Sequence, residues 1–137
     1  PELIKQMTKI QGQSSSNVCS IAQKAALAAL TGSWEPVENM RKHFARRRDL
    51  ALGHIKTWPG VTCPVPDGAF YLFPQVSSFY NADTPDSTSL CAHLLEKAGV
   101  ALVPGAAFGD DRCIRFSYAV GDETLEKALT SIGKVLS

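Results

Sequence analysis

The apolar positions of the chain change period near its middle, and with the period the kind of structure they predict. Over residues 1–10, Leu3, Ile4, Met7 and Ile10 recur at intervals of three and four, the spacing of one helical face. The polar run QGQSSSN, Gln11 to Asn17, interrupts them; its serines can hydrogen-bond local backbone, which predicts a loop that ends by capping the next helix. That helix is expected over Val18–Leu30, rich in small alanines, with Gly32 as its stop. Pro36 opens the longest helical pattern, in which Val37, Met40, Phe44, Ala51, Ile55 and Trp58 share a stripe until Pro59 and Gly60 end it. At about 1.5 Å per residue such a helix is on the order of 30 Å long, enough to link two bodies.

Beyond Val61 the runs shorten. AFYLF, VALV and CIRFSYA are apolar, rich in aromatic and branched residues and bounded by Pro and Gly, and each predicts a strand. Between the first two, DSTSLCAHLLEKAG predicts a capped helix with Leu90, Leu94 and Leu95 on its apolar face and Gly99 at its end. The closing GDETLEKALTSIGKVLS predicts another, with Asp122 and Glu123 in its first turn and Leu125, Leu129, Ile132 and Leu136 as the buried stripe. The order strand, helix, strand, strand, helix predicts a small sheet with helices on one side, an α/β or α+β layer arrangement.

Composition narrows the partners more than the fold. The length of 137 residues fits one domain, and 45% hydrophobic content is enough for a real core. With 14 basic against 13 acidic residues the net charge of +1 offers no attraction to nucleic acid or anionic lipid, so neither is expected as a partner. No apolar run approaches the roughly 20 residues of a membrane span, and no secretory signal pattern is present. Cys19, Cys63, Cys91 and Cys113 are scattered without a C-x-x-C pair and are expected to be free thiols in a reducing compartment. His43, His54 and His93 lack a second ligand at useful spacing, so no metal site is expected. The start, PELIKQMTKI, has no initiator methionine and begins at a proline suited to a first helical turn, as though cut from something longer.

Candidate chemistry is sparse. Neither glycine-rich phosphate motif is present, and the serine cluster has no histidine or acid in recognisable relation to it. Asp110 and Asp111 are expected to form a turn, and the Arg46–Asp49 cluster to be the solvated face of the long helix. What remains is the turn VPGAAFGDD feeding into CIRFSYAV. Alternation directs Ile114, Phe116 and Tyr118 to one face of that strand and Arg115 and Ser117 to the other. A guanidinium is costly to bury alone and suits bidentate pairing with a carboxylate, so Arg115 either anchors a small acid in a partly dry cleft, forms a structural salt bridge, or faces solvent.

The succession PDGAFYLFP, VALVPGAAFG and IRFSYA closely resembles the C-terminal part of class I pyridoxal-phosphate aminotransferases, and QGQSSSNVCSIAQKAALAAL looks like the same family's stretch shortly after its cofactor lysine. GDD followed by CIRFSYA is most similar to the plant-type members that use aspartate and, in many cases, prephenate. The resemblance implies the C-terminal part of a type I pyridoxal-phosphate transferase fold: residues 1–33 end the large cofactor domain, 34–59 form a linking helix and 60–137 a small α/β domain. It implies that Arg115, in I-R-x-S-x-A, binds the substrate α-carboxylate and that Phe70, in G-A-F, lines the substrate side. Ser15 and Ser16 fall where family members bring a serine or threonine loop toward the active site across a homodimer. The implied cofactor is pyridoxal 5'-phosphate and the implied partners are an amino acid, of aspartate, glutamate or prephenate/arogenate type, and a 2-oxo acid, in cytoplasm or plastid. The family's Schiff-base lysine motif, its acid for the pyridine nitrogen and its phosphate-holding groups are all missing, and Lys5, Lys9 and Lys24 lie on expected surface helices. No catalytic or cofactor-binding residue is therefore assigned, and the isolated segment is expected to be inactive. A lyase or synthase of the same fold type, or a non-catalytic binding or assembly module, are the alternatives.

Overall fold

The computed structural model describes residues 1–15 and 17–136 and divides into two compact units, Pro1–Glu38 and Asn39–Ser137. The first unit holds α1 (Glu2–Ser14) and α2 (Ser20–Thr31), and the start of α3 (Glu35–Ile55), whose remaining turns belong to the second. Neither α1 nor α2 has a buried residue. The apolar stripe of α1 is in place but exposed, from 56% at Met7 to 73% at Leu3. The helix also runs four residues past the expected end at Ile10, through Gln11 to Ser14. Polar side chains do not end a helix that nothing covers, and Ser14 Oγ hydrogen-bonds back to the Ile10 carbonyl within it. The expected serine cap is absent from α2, whose N-cap is Cys19 with no side-chain hydrogen bond.

α3 starts where Ser33 Oγ accepts the Glu35 N–H at 3.1 Å, with Pro36 in its first turn and Glu35 and Glu38 at its positive end. Its expected stripe is only partly used. Ala51, Leu52 and Ile55 are buried and Phe44 packs beside them, whereas Val37 and Met40 remain about half exposed.

The rest of the second unit is β1 (Tyr71–Leu72), α4 (Ser87–Ala98), β2 (Val103–Pro104), β3 (Ile114–Ser117) and α5 (Asp122–Val135), with short 3₁₀ turns at Ser77–Phe79 and Gly105–Phe108. β3 is central. It pairs antiparallel with β1, Tyr71 opposite Ser117, and antiparallel with β2, Val103 opposite Arg115. Ile114, Phe116 and Tyr118 are buried on one face of it, against Leu125, Leu129 and Ile132 of α5 and Leu90 and Leu94 of α4. Each such side chain removed from water contributes about 1.5–3 kcal/mol, which is why this face fixes the strand's register. Leu95 departs from its expected place and is 54% exposed. α4 is held at one end by an Asp86–Ser89 capping box and at the other by Gly99 in the left-handed conformation, φ 67°.

The RRRD cluster is more than a solvated face. Arg47 Nε donates to Asp122 Oδ1 at 2.7 Å, and Arg46 pairs with the same carboxylate, tying α3 to the first turn of α5. These two guanidinium groups hold Asp122 below the usual carboxylate range. Arg48 pairs with Asp49 and reaches the Pro66 carbonyl.

Candidate functional site

The register that buries Ile114 and Phe116 obliges Arg115 to leave by the opposite face, where it is half-buried. Two aromatic rings flank its guanidinium. The carbon at its centre lies 4.7 Å from the Phe108 ring centroid and 5.4 Å from that of Tyr71. Tyr71 comes from β1, where it faces Ser117, two residues along from Arg115 and on the same side of the sheet. Phe108 comes from the 3₁₀ turn after β2. Among the described residues no aspartate or glutamate pairs with Arg115. Among the described residues the neighbours of its guanidinium are rings and not carboxylates. Ring faces attract a cation without neutralising it, so the guanidinium edge stays available to a carboxylate while its plane is restrained.

The surroundings of the guanidinium are open to solvent rather than dry. Phe70, Tyr71 and Phe108 are 51%, 39% and 49% exposed, and the neighbouring cavity of about 160 Å³ lies elsewhere, among Arg41, Phe44, Arg48, Gly68, Ala69 and Tyr118. The described residues do not enclose a partly dry cleft at Arg115.

Phe70 reaches the cluster through Tyr71: the two rings meet edge-on with centroids 5.9 Å apart, and Phe44 lies 6.4 Å on the far side of Phe70. The loop that presents Phe70 is bonded to β3 by its backbone. The Phe70 carbonyl accepts the Tyr118 N–H at 2.9 Å, and Tyr118 Oη donates to the Ala69 carbonyl at 3.1 Å. Ala69 sits at φ 64°, a conformation that non-glycine residues adopt at a cost. The structure therefore brings Arg115 and Phe70 into one aromatic chain. Ser15 belongs to the first unit, where it ends α1 in extended conformation with its N–H on the Gln11 carbonyl. Ser16 lies outside the described residues.

Tyr71 and Phe108 were not singled out by the sequence, although signals existed: Tyr71 alternates with the buried Leu72, and Phe108 stands between small residues in GAAFG, an exposed aromatic in a turn. The Asp110–Asp111 pair does form a turn, as expected. Asp110 accepts from the backbone and guanidinium of Arg112, which holds its carboxyl at about 2. Asp111 does more, since it accepts from both the N–H and the hydroxyl of Ser87 at the start of α4. All four cysteines are free thiols; burial pushes the Cys91 thiol up to about 11, which makes it a poor nucleophile near neutrality. No cluster of His, Cys, Asp or Glu among the described residues could hold a metal ion, and no helix among them is long and apolar enough to cross a membrane.

The family model for aminotransferase classes I and II matches residues 1–132. An aspartate aminotransferase of Pinus pinaster is 47% identical over 137 residues, covering 93% of this chain and 28% of its own length. An aspartate/prephenate aminotransferase of Cereibacter sphaeroides is likewise 47% identical, covering 96% of this chain and 34% of its own. The crystal structure of an aspartate aminotransferase from Rhizobium meliloti superposes with a TM-score of 0.85 at 38% identity, over 97% of this chain and 35% of that one. The chain thus spans about a third of the length of the relatives it matches, and aligns with their C-terminal part. The family-model match over nearly the whole chain, the 47% identity of two relatives across it and the likeness to a solved aminotransferase make it a member of the class I and II aminotransferase family, of the type I fold.

Proposed function

We propose that this chain serves an aminotransferase that moves an amino group between an amino acid of aspartate, glutamate or prephenate/arogenate type and a 2-oxo acid, and that Arg115 holds the substrate α-carboxylate. The observation that carries this reading is a half-buried guanidinium bracketed by Tyr71 and Phe108 and unpaired with any carboxylate among the described residues. Its two outer N–H groups match the two oxygens of a carboxylate, and the rings limit its rotation. Phe70 supplies apolar surface beside it, and Ser15 approaches the active site across a homodimer in the same reading. Residues 1–33 close the large domain, 34–59 link, and 60–137 form the small domain. The passage of α3 across the boundary between the two compact units supports that division.

The family depends on pyridoxal phosphate, which when bound supplies the carbonyl and the electron sink for amino transfer. Such a site needs a lysine amine and an anion cradle together. Every lysine of this chain is exposed, and Lys5, Lys9 and Lys24 stand on helices with no buried residue. The described residues do not assemble that site, so no step through the cofactor is assigned to them. What they contribute is binding and orientation: a carboxylate fixed at Arg115 places the α-carbon, which shortens the search for a reactive geometry. Because the cleft is open here, water exclusion falls to the remaining two thirds of the family fold, and the segment alone is inactive.

The test is turnover of the complete holoenzyme with aspartate, with and without 2-oxoglutarate. Strict dependence on the oxo acid, with stoichiometric glutamate formed, fits an aminotransferase. Product formed from aspartate alone would assign the chain to a lyase that uses the same arginine, and no turnover of any amino acid would favour a non-catalytic module.

A further inference from the structure

Phe108 is an exposed ring on a short turn, yet it lies over Arg115 at 4.7 Å. Something must hold the turn there. The Gly105–Phe108 turn is pinned from two sides. Gly105 donates its N–H to the Cys113 carbonyl at 2.9 Å, and a Cβ on Gly105 would run into the carbonyls of Asp110 and Cys113, so the backbones are in direct contact. On the other side the Ala106 N–H donates to Ser87 Oγ at 3.2 Å. Ser87 is completely buried, and its hydroxyl in turn donates to Asp111 Oδ1 at 2.6 Å, which also accepts the Ser87 N–H at 3.1 Å. Asp111 is itself restrained, because Tyr80 Oη donates to its backbone carbonyl. One hydroxyl therefore joins the N-terminus of α4, the turn that carries Phe108 and the loop that leads into the arginine strand.

We infer that Ser87 is a positioning residue for the substrate carboxylate: it acts through the turn and Phe108 to hold the plane of the Arg115 guanidinium. This rests on the anchoring role of Arg115 proposed above. A buried serine of purely structural value would affect folding and all ligands alike. A positioning serine affects ligands that bring a carboxylate to Arg115 and spares those that do not.

The experiment compares aspartate with aspartate α-amide, in which the α-carboxylate is neutralised, as ligands of the complete holoenzyme. With Ser87→Ala the affinity for aspartate should fall about tenfold, the loss expected for one misplaced hydrogen-bonding partner, while affinity for the α-amide stays within about twofold. Asp111→Asn, which keeps the side chain's shape and weakens the acceptor, should reproduce that split, weakening aspartate and sparing the α-amide. On a Phe108→Leu background the Ser87→Ala change should add nothing, because the ring through which it acts is gone. Equal losses for both ligands, or full additivity with Phe108→Leu, would overturn the inference. Arg115→Lys separates the two layers of the argument. If that variant loses aspartate affinity while Ser87→Ala and Asp111→Asn are silent, the positioning role fails alone. If Arg115→Lys itself leaves aspartate binding intact, the anchoring reading fails and the role of Ser87 falls with it.

Discussion

Replacing Arg115 by lysine keeps the charge and removes the geometry, so it tests anchoring more sharply than removal of the side chain. A guanidinium offers a carboxylate two parallel charge-assisted hydrogen bonds, and an ammonium offers one directed contact. Losing one such bond costs about 1.5–3 kcal/mol. The flat group also rests against two rings, Phe108 at 4.7 Å and Tyr71 at 5.4 Å, each a contact worth about 0.5–1 kcal/mol at a half-exposed site, part of which an ammonium retains. The sum is about 2–4 kcal/mol, which predicts a fall in kcat/KM of about 30- to 900-fold for the complete holoenzyme. If the carboxylate is held equally in ground and transition states, the loss appears in KM; if the hold tightens during reaction, it appears in kcat as well. Steady-state kinetics with aspartate and with an aromatic amino acid should show losses of similar size, because both present the same α-carboxylate. A change of less than about threefold in kcat/KM is far below the energy of one charge-assisted hydrogen bond and would refute the reasoning. A large loss for aspartate with none for the aromatic substrate would also refute it, by moving Arg115 to the distal carboxylate.

Asp122→Asn should uncouple α3 from α5 and lower the melting temperature slightly near neutral pH. Because Arg47 and Arg46 depress the Asp122 carboxyl, its contribution is complete above the ordinary carboxylate range near pH 4 and is lost as pH falls below it, so the variant should show a flatter acid limb in thermal unfolding between about pH 5 and pH 2. Gly105→Ala meets backbone carbonyls that cannot turn aside and should cost about 3 kcal/mol in denaturant unfolding, within the range of an overpacked site. Ala69→Gly should be neutral or stabilising by up to about 1 kcal/mol in the same assay, since φ 64° suits glycine, while Ala69→Val should destabilise. The 137-residue chain by itself should associate with rising concentration in sedimentation velocity. Covering Leu3, Ile4, Met7 and Ile10 of α1 is worth on the order of 6 kcal/mol, above the low end of the cost of association at about 4 kcal/mol, and Ile21, Leu27 and Leu30 of α2 add to it. A monomer at all concentrations would contradict that sum.

What could be read from the sequence follows period, and what could not follows long-range pairing. Burial of Ile114 and Phe116 with Arg115 turned away is a consequence of alternation, and the stripe Leu125, Leu129, Ile132 and Leu136 is a consequence of the helical repeat; both are visible in one strand or one helix without knowledge of its neighbours. The same rule misplaced Leu95, Val37 and Met40, because period states which residues share a face and not whether anything covers that face. It also ended α1 too early, since Gln11, Gln13 and Ser14 are invisible to an apolar count yet extend a helix well enough in water. The features that give Arg115 its surroundings are of another kind. Tyr71 arrives by strand register, Phe108 by the fold-back of a turn, and that turn is tied by Ser87 to Asp111, 24 positions along the chain. No local pattern encodes such a bond. An arginine strand can thus be recognised in a sequence before its surroundings can, because those depend on which distant groups approach the guanidinium, and among the described residues the groups that do are rings and not carboxylates.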